Sequence, residues 1–134
     1  ISTISAIPDQ SFILQMDIEG WELPALLATP RDVLDKFRII ILELHHLHEL
    51  LYTNSGIKML SALADLLDQF KTVHLHSNNT THRFRYGANI LSDAIEITML
   101  SENYFSTFQR VSYSYNELDC RSDSDLLENY LIIN

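Results

Sequence analysis

Arg38-Ile39-Ile40-Ile41-Leu42-Glu43-Leu44-His45 is the stretch on which the fold turns. Its apolar run does not alternate with polar residues, which predicts a strand covered on both faces, as in the middle of a parallel sheet. Upstream, Phe12 to Asp17 reads as a second short buried strand that ends in a carboxylate. Between the two, Pro24 suits the first turn of a helix, where its missing N–H costs nothing. Thr29-Pro30-Arg31-Asp32 predicts another helix start, with Thr29 as cap, Pro30 at the first position and Asp32 at the third, running through Val33 to about Lys36.

Downstream, Asn54-Ser55-Gly56 reads as a loop. Leu60, Leu63, Leu67 and Phe70 then recur at helical spacing, with Lys58, Asp65 and Asp68 off that face. Thr72 to His76 predicts a third strand, closed by the turn formers Ser77-Asn78-Asn79. Residues 80–93 are polar and irregular. Ala94 to Leu100 alternates, with Ile95, Ile97 and Met99 on one face and Glu96 and Thr98 on the other. Val111, Tyr113 and Tyr115 suggest a final strand before an acidic, Ser-rich stretch over 116–125. Strands alternating with helices predict an α/β fold, a parallel sheet ending in an antiparallel pair.

Composition narrows the function classes. The 134 residues are 46% hydrophobic and 20% charged, which suits one globular domain. Nine basic against eighteen acidic residues leave a net charge of -9, which repels phosphate backbones and argues against nucleic acid as a partner. No apolar run approaches the roughly 18 residues of a membrane span. Cys120 is the single cysteine, which excludes an internal disulfide framework and a Cys-based zinc site and makes a cytoplasmic location the expectation. Ile1 to Ile7 has no signal-peptide pattern, and a start at Ile reads as an internal point of a longer product. The only glycines are Gly20, Gly56 and Gly87, too scattered for a phosphate- or nucleotide-binding loop.

In open α/β sheets ligands gather beyond the carboxyl ends of the parallel strands. Each predicted strand ends there in unusual residues: Asp17 and Glu19, then Glu43, His45 and His46, then His74, His76, Asn78 and Asn79. Glu43 and His74 lie further inside the sheet, where they must be paired or neutral, and the plain reading is that they satisfy each other or nearby backbone. Asp17, His45 and His76 fall at the edge. They suit either a general base that takes a proton from an attacking hydroxyl or, as a lesser alternative lacking diagnostic spacing, a divalent metal. Glu19 and Glu22 also suit a helix N-terminus as favourable charges. Trp21 reads as core. No G-x-S-x-G elbow is present, which excludes that kind of serine hydrolase.

Leu14 to Glu22, with its Asp17-Ile18-Glu19-Gly20-Trp21-Glu22 signature, closely resembles the FkbM-type methyltransferases. The likeness continues through Thr29–Leu34, through Phe37–His45, through His74-Leu75-His76-Ser77-Asn78-Asn79, through Glu96–Leu100 and at Leu118-Asp119. The resemblance implies a Rossmann-like class I fold, here only its C-terminal half with strands four to seven. Residues 1–105 would be that part of the methyltransferase domain, and 106–134 its final strand and acidic tail. It implies S-adenosylmethionine-dependent methyl transfer to a hydroxyl of a sugar, glycan or secondary metabolite, in a fragment lacking the glycine-rich cofactor loop and inactive alone. Asp17 would stand near the cofactor's methyl and serve, with His76, as candidate base. Glu19, Glu22, His45, Asn78 and Asn79 would hold the acceptor. Ser77 stands where the family pattern leads one to expect Pro. The competing expectation is a non-catalytic α/β module that binds a glycan or a partner protein. Half a sheet leaves edges and a face uncovered, so self-association of the isolated chain is also expected.

Overall fold

The structure, a computed structural model, describes residues 12–105 and Thr107. Its elements run β1 (Phe12–Met16), α1 (Glu22–Leu27), α2 (Arg31–Leu34), β2 (Phe37–Leu44), α3 (Leu47–Tyr52), α4 (Asn54–Leu66), β3 (Phe70–Ser77), β4 (Arg83–Tyr86), β5 (Asn89–Ser92) and β6 (Ile95–Ser101). The result is the mixed α/β architecture expected from the alternation of apolar runs and helical periods. The expected strand over Val111 to Tyr115 and the acidic stretch lie outside the described residues.

Among the described residues, four strands form the main sheet in the order β1-β2-β6-β3. β1 pairs parallel with β2, and β6 runs antiparallel to both β2 and β3. β1, β2 and β3 therefore point the same way, and their carboxyl ends share one edge. The antiparallel strand is not at the end of the sheet, as its position late in the sequence suggested, but between β2 and β3. Pairing order follows packing rather than chain order, and the alternating apolar face of β6 fits the centre: Met99 lies opposite Ile40, and Ile97 opposite Leu42.

The core gathers on one side of this sheet. Ile40, Leu42 and Leu44 of β2 and Met99 of β6 pack with Leu23 and Leu26 of α1, Leu34 of α2, Leu47 of α3 and Leu63 of α4. Each of these fully buried leucines contributes on the order of 1.5–3 kcal/mol relative to exposure. The other face of β2 is open among the described residues, with Ile41 38% exposed and Ile13 of β1 51% exposed. The expectation that β2 is covered on both faces is thus met on one only. A continuous apolar run records what a strand can bury, not which neighbours are there to bury it.

Local differences have local causes. The stretch over 80–93 contains the hairpin β4–β5, closed by Gly87 and Ala88 with Gly87 at φ +59, where the first position of a two-residue turn of the II′ kind favours glycine. Asn54-Ser55-Gly56 is the first turn of α4, because the Thr53 hydroxyl accepts the Gly56 N–H at 3.0 Å and starts the helix there. Phe70 belongs to β3 rather than to the helix before it. Thr29 does not cap α2: its hydroxyl donates back to the Ala25 carbonyl at 2.8 Å, within the turn that ends α1.

Candidate functional site

The segment leaving β1 folds back on itself. Glu19 takes the left-handed backbone conformation at φ +55, and Gly20 follows at φ +97. A Cβ at Gly20 would stand 2.5 and 2.7 Å from ring atoms of His46, so only glycine lets the signature turn pass beneath that imidazole. The turn brings the N–H groups of Ile18 and Gly20 onto Glu22, whose Oε1 accepts both at 3.0 and 3.1 Å while Oε2 lies 3.1 Å from Gly20 N. Glu22 is 1% exposed, so these bonds offset the loss of water around a carboxylate.

His45, one residue past the end of β2, faces this loop. Its Nδ1 lies 3.0 Å from Glu22 Oε1, with the imidazole N–H donating. Its Nε2 points into a ring of carboxylates: Glu19 Oε2 at 3.5 Å, Glu43 Oε1 at 3.7 Å and Asp17 Oδ1 at 3.9 Å. Burial alone would lower the His45 pKa, but the hydrogen bond to Glu22 and the charges of Glu22, Glu43 and Glu19 outweigh it and hold it above the ordinary imidazole range. Burial likewise works to raise Glu22, yet the backbone N–H bonds and His45 leave its pKa below the usual carboxylate value.

The third strand end joins through Asn78, whose Nδ2 donates to Glu43 Oε1 at 2.7 Å. Asn78 Oδ1 accepts in turn from the Thr80 N–H at 2.8 Å and the Thr80 hydroxyl at 2.6 Å, which fixes the turn after β3. Asp17, Glu19, Glu22, Glu43, His45 and Asn78 therefore form one connected cluster at the shared edge. His76 is buried elsewhere, 3.8 Å from Glu96. Glu43, Glu96 and His76 occupy one row across β2, β6 and β3. Asp17 and His76 are on strands three spacings apart, roughly 14 Å. Asn79, next to Asn78 in the chain, is buried.

Three expectations change here. Glu43 does not pair with His74: its partners are Asn78 and His45, and His74 lies opposite Thr98 in the register. Trp21 is 69% exposed, so its ring is not part of the core. Among the described residues, the donor set with atoms close enough to share a metal is Asp17, Glu43 and His45, all within 4.8 Å of one another, with Glu43 in the place expected for His76. Glu43 shares a strand face with His45 two residues on, and that parity was the available signal. Asp93 gave none: its carbonyl and carboxylate accept the N–H groups of Leu47 and His48 at 2.9 and 2.7 Å, capping α3 from 45 residues away.

A shallow cleft beside the cluster is lined by Gly20, Glu22, Pro24, His45, His46 and Met59, among others. It joins the Glu22–His45 pair to the apolar flank of α1 and α4. No curated protein and no solved structure matches the chain. A family model described as the methyltransferase FkbM domain matches residues 3–71, over half of the 134 residues and including both the β1 signature and β2. The chain belongs to the FkbM methyltransferase family, and methyl transfer is the activity that membership indicates.

Proposed function

We propose that this chain forms the acceptor side of an S-adenosylmethionine-dependent O-methyltransferase and corresponds to the C-terminal half of its Rossmann-like sheet. The supporting observation is the joining of the β1 signature to the end of β2 through the Glu22–His45 bond, at the carboxyl edge where such sheets bind ligands. In a doubly wound sheet the fourth, fifth and sixth strands follow one another on one flank. β1, β2 and β3 keep that order here, with β6 set between the last two.

The residues present fit one edge of a pocket for S-adenosylmethionine, the ends of β1 and β2. Gly20 is closed against His46, Gly56 lies within α4 and Gly87 closes a hairpin, so no glycine opens a cradle for the cofactor. When bound, the cofactor supplies the electrophilic methyl group. This chain's residues hold the acceptor and receive its proton. The acceptor is a sugar, glycan or secondary-metabolite hydroxyl, a weak nucleophile near neutral pH. Fixing its oxygen in line can supply up to roughly 7–11 kcal/mol in ideal cases, and a positioned base typically adds about 10²–10⁴-fold. Asp17 is half exposed at the mouth of the cluster and is our first candidate base. His76, on β3 away from the His45 cluster, is the second, for an acceptor that reaches along the edge; Glu19, His45, Asn78 and Asn79 orient the acceptor, with the buried Glu22 acting through His45. In the intact enzyme, Asp17→Ala is expected to lower turnover by about 10²–10⁴-fold. Unchanged turnover would remove Asp17 from this role.

A further inference from the structure

We propose that Asp17, Glu43 and His45 form a binding site for one divalent cation of the Mn²⁺ kind. Two carboxylate oxygens and one imidazole nitrogen make a mixed hard and borderline donor set, which suits Mn²⁺ better than the all-oxygen shell preferred by Mg²⁺ or the thiolate sites typical of structural Zn²⁺. His45 Nε2 lies 3.7 Å from Glu43 Oε1 and 3.9 Å from Asp17 Oδ1. Around an octahedral cation with bonds of about 2.1 Å, adjacent donors stand roughly 3.0 Å apart, so each of these separations has to close by under about 1 Å when the ion binds. The full set spans at most 4.8 Å, and Asp17 is its most exposed member.

The outer contacts are also those of a built site. Metal-ligating histidines generally donate their second ring N–H to a carboxylate, and ligating carboxylates are themselves hydrogen-bonded. Glu22, 1% exposed, accepts from His45 Nδ1 at 3.0 Å, which turns the Nε2 lone pair of the neutral ring toward Asp17 and Glu43. Asn78 holds Glu43 at 2.7 Å. Glu19 brings a fourth carboxylate to within 3.5 Å of Nε2. Four carboxylates thus converge on one imidazole, and no Lys or Arg pairs with any of them among the described residues. An imidazolium at His45 offsets at most one of the four negative charges, whereas a divalent cation bound there offsets two. The site stands on this geometry alone; only its use rests on the methyl-transfer reading, in which Asp17 acts through the ion it holds rather than as a free base, and the ion binds the acceptor oxygen and eases loss of its proton.

Titrating MnCl₂ into the metal-free 134-residue chain tests the site without turnover. Calorimetry is expected to show one site per chain, and pulsed electron paramagnetic resonance a nitrogen coupling from one imidazole. Asp17→Asn and His45→Gln should each weaken binding at least about 10-fold, and Asn78→Ala by about 10–100-fold as an outer contact. Glu102→Gln, on the Lys71 ion pair outside the cluster, should leave binding unchanged. No uptake by the folded parent chain, uptake without nitrogen coupling, or uptake unaltered by Asp17→Asn would each overturn the proposal. The nitrogen coupling is read on the parent chain, so a variant that fails to fold does not remove the test.

Discussion

The Glu22 carboxylate accepts from two backbone N–H groups and one imidazole in a place that water does not reach. Glu22→Gln keeps the shape but sets an amide NH₂ against N–H donors, so we expect a loss of about 1–3 kcal/mol in urea unfolding. The same change should bring the His45 pKa down, because the raising hydrogen bond and charge are removed. The pair also sets a stability window in metal-free buffer. The raised His45 contributes fully below its ordinary value of about 6.5, and the contribution is lost as pH rises through the higher folded value. The lowered Glu22 contributes above its ordinary value of about 4.3, and the contribution is lost as pH falls through the lower folded value. Thermal melts should therefore peak between these values, and His45→Gln should flatten the alkaline decline. A parent chain without that decline would contradict the assignment. The sequence placed both residues near strand ends but not in contact, since a bond spanning 23 residues leaves no local pattern.

At the scale of elements, α3 and α4 meet at a backbone contact. A Cβ at Gly56 would stand 2.3 Å from the Leu50 carbonyl oxygen and 2.5 Å from its Cα. Those are backbone atoms, so relief requires the two helices to part. We expect Gly56→Ala to cost about 1–3 kcal/mol in a denaturant melt, whereas its helix propensity alone favours Ala. An unchanged midpoint would show that the helices are not held this closely. β1, β2, β6 and the body of α4 were legible because apolar runs and periods directly record a buried face. The hairpin β4–β5 was not, because Arg83-Phe84-Arg85-Tyr86 is short and charged and its turn lacks an Asn-Gly pair. α3 was missed because Asp93, which caps it, comes from the distant loop before β6.

For the whole molecule, helices cover one face of the sheet among the described residues, while Ile13 and Ile41 remain open on the other. That one-sidedness, the shared edge of β1, β2 and β3, and three glycines that form no cradle all fit the acceptor half of a methyltransferase sheet. The direction of the three strands was legible from the sequence, and with it the edge where the cluster forms. The place of β6 was not, because an alternating strand can pair at an edge or in the middle and only tertiary packing decides. Calorimetric titration of S-adenosylhomocysteine into the folded 134-residue chain is the most direct test of this account. No micromolar binding is expected, because the β1 and β2 ends supply one side of the pocket only. Micromolar binding at one site per chain would contradict it and show that the cofactor pocket is complete.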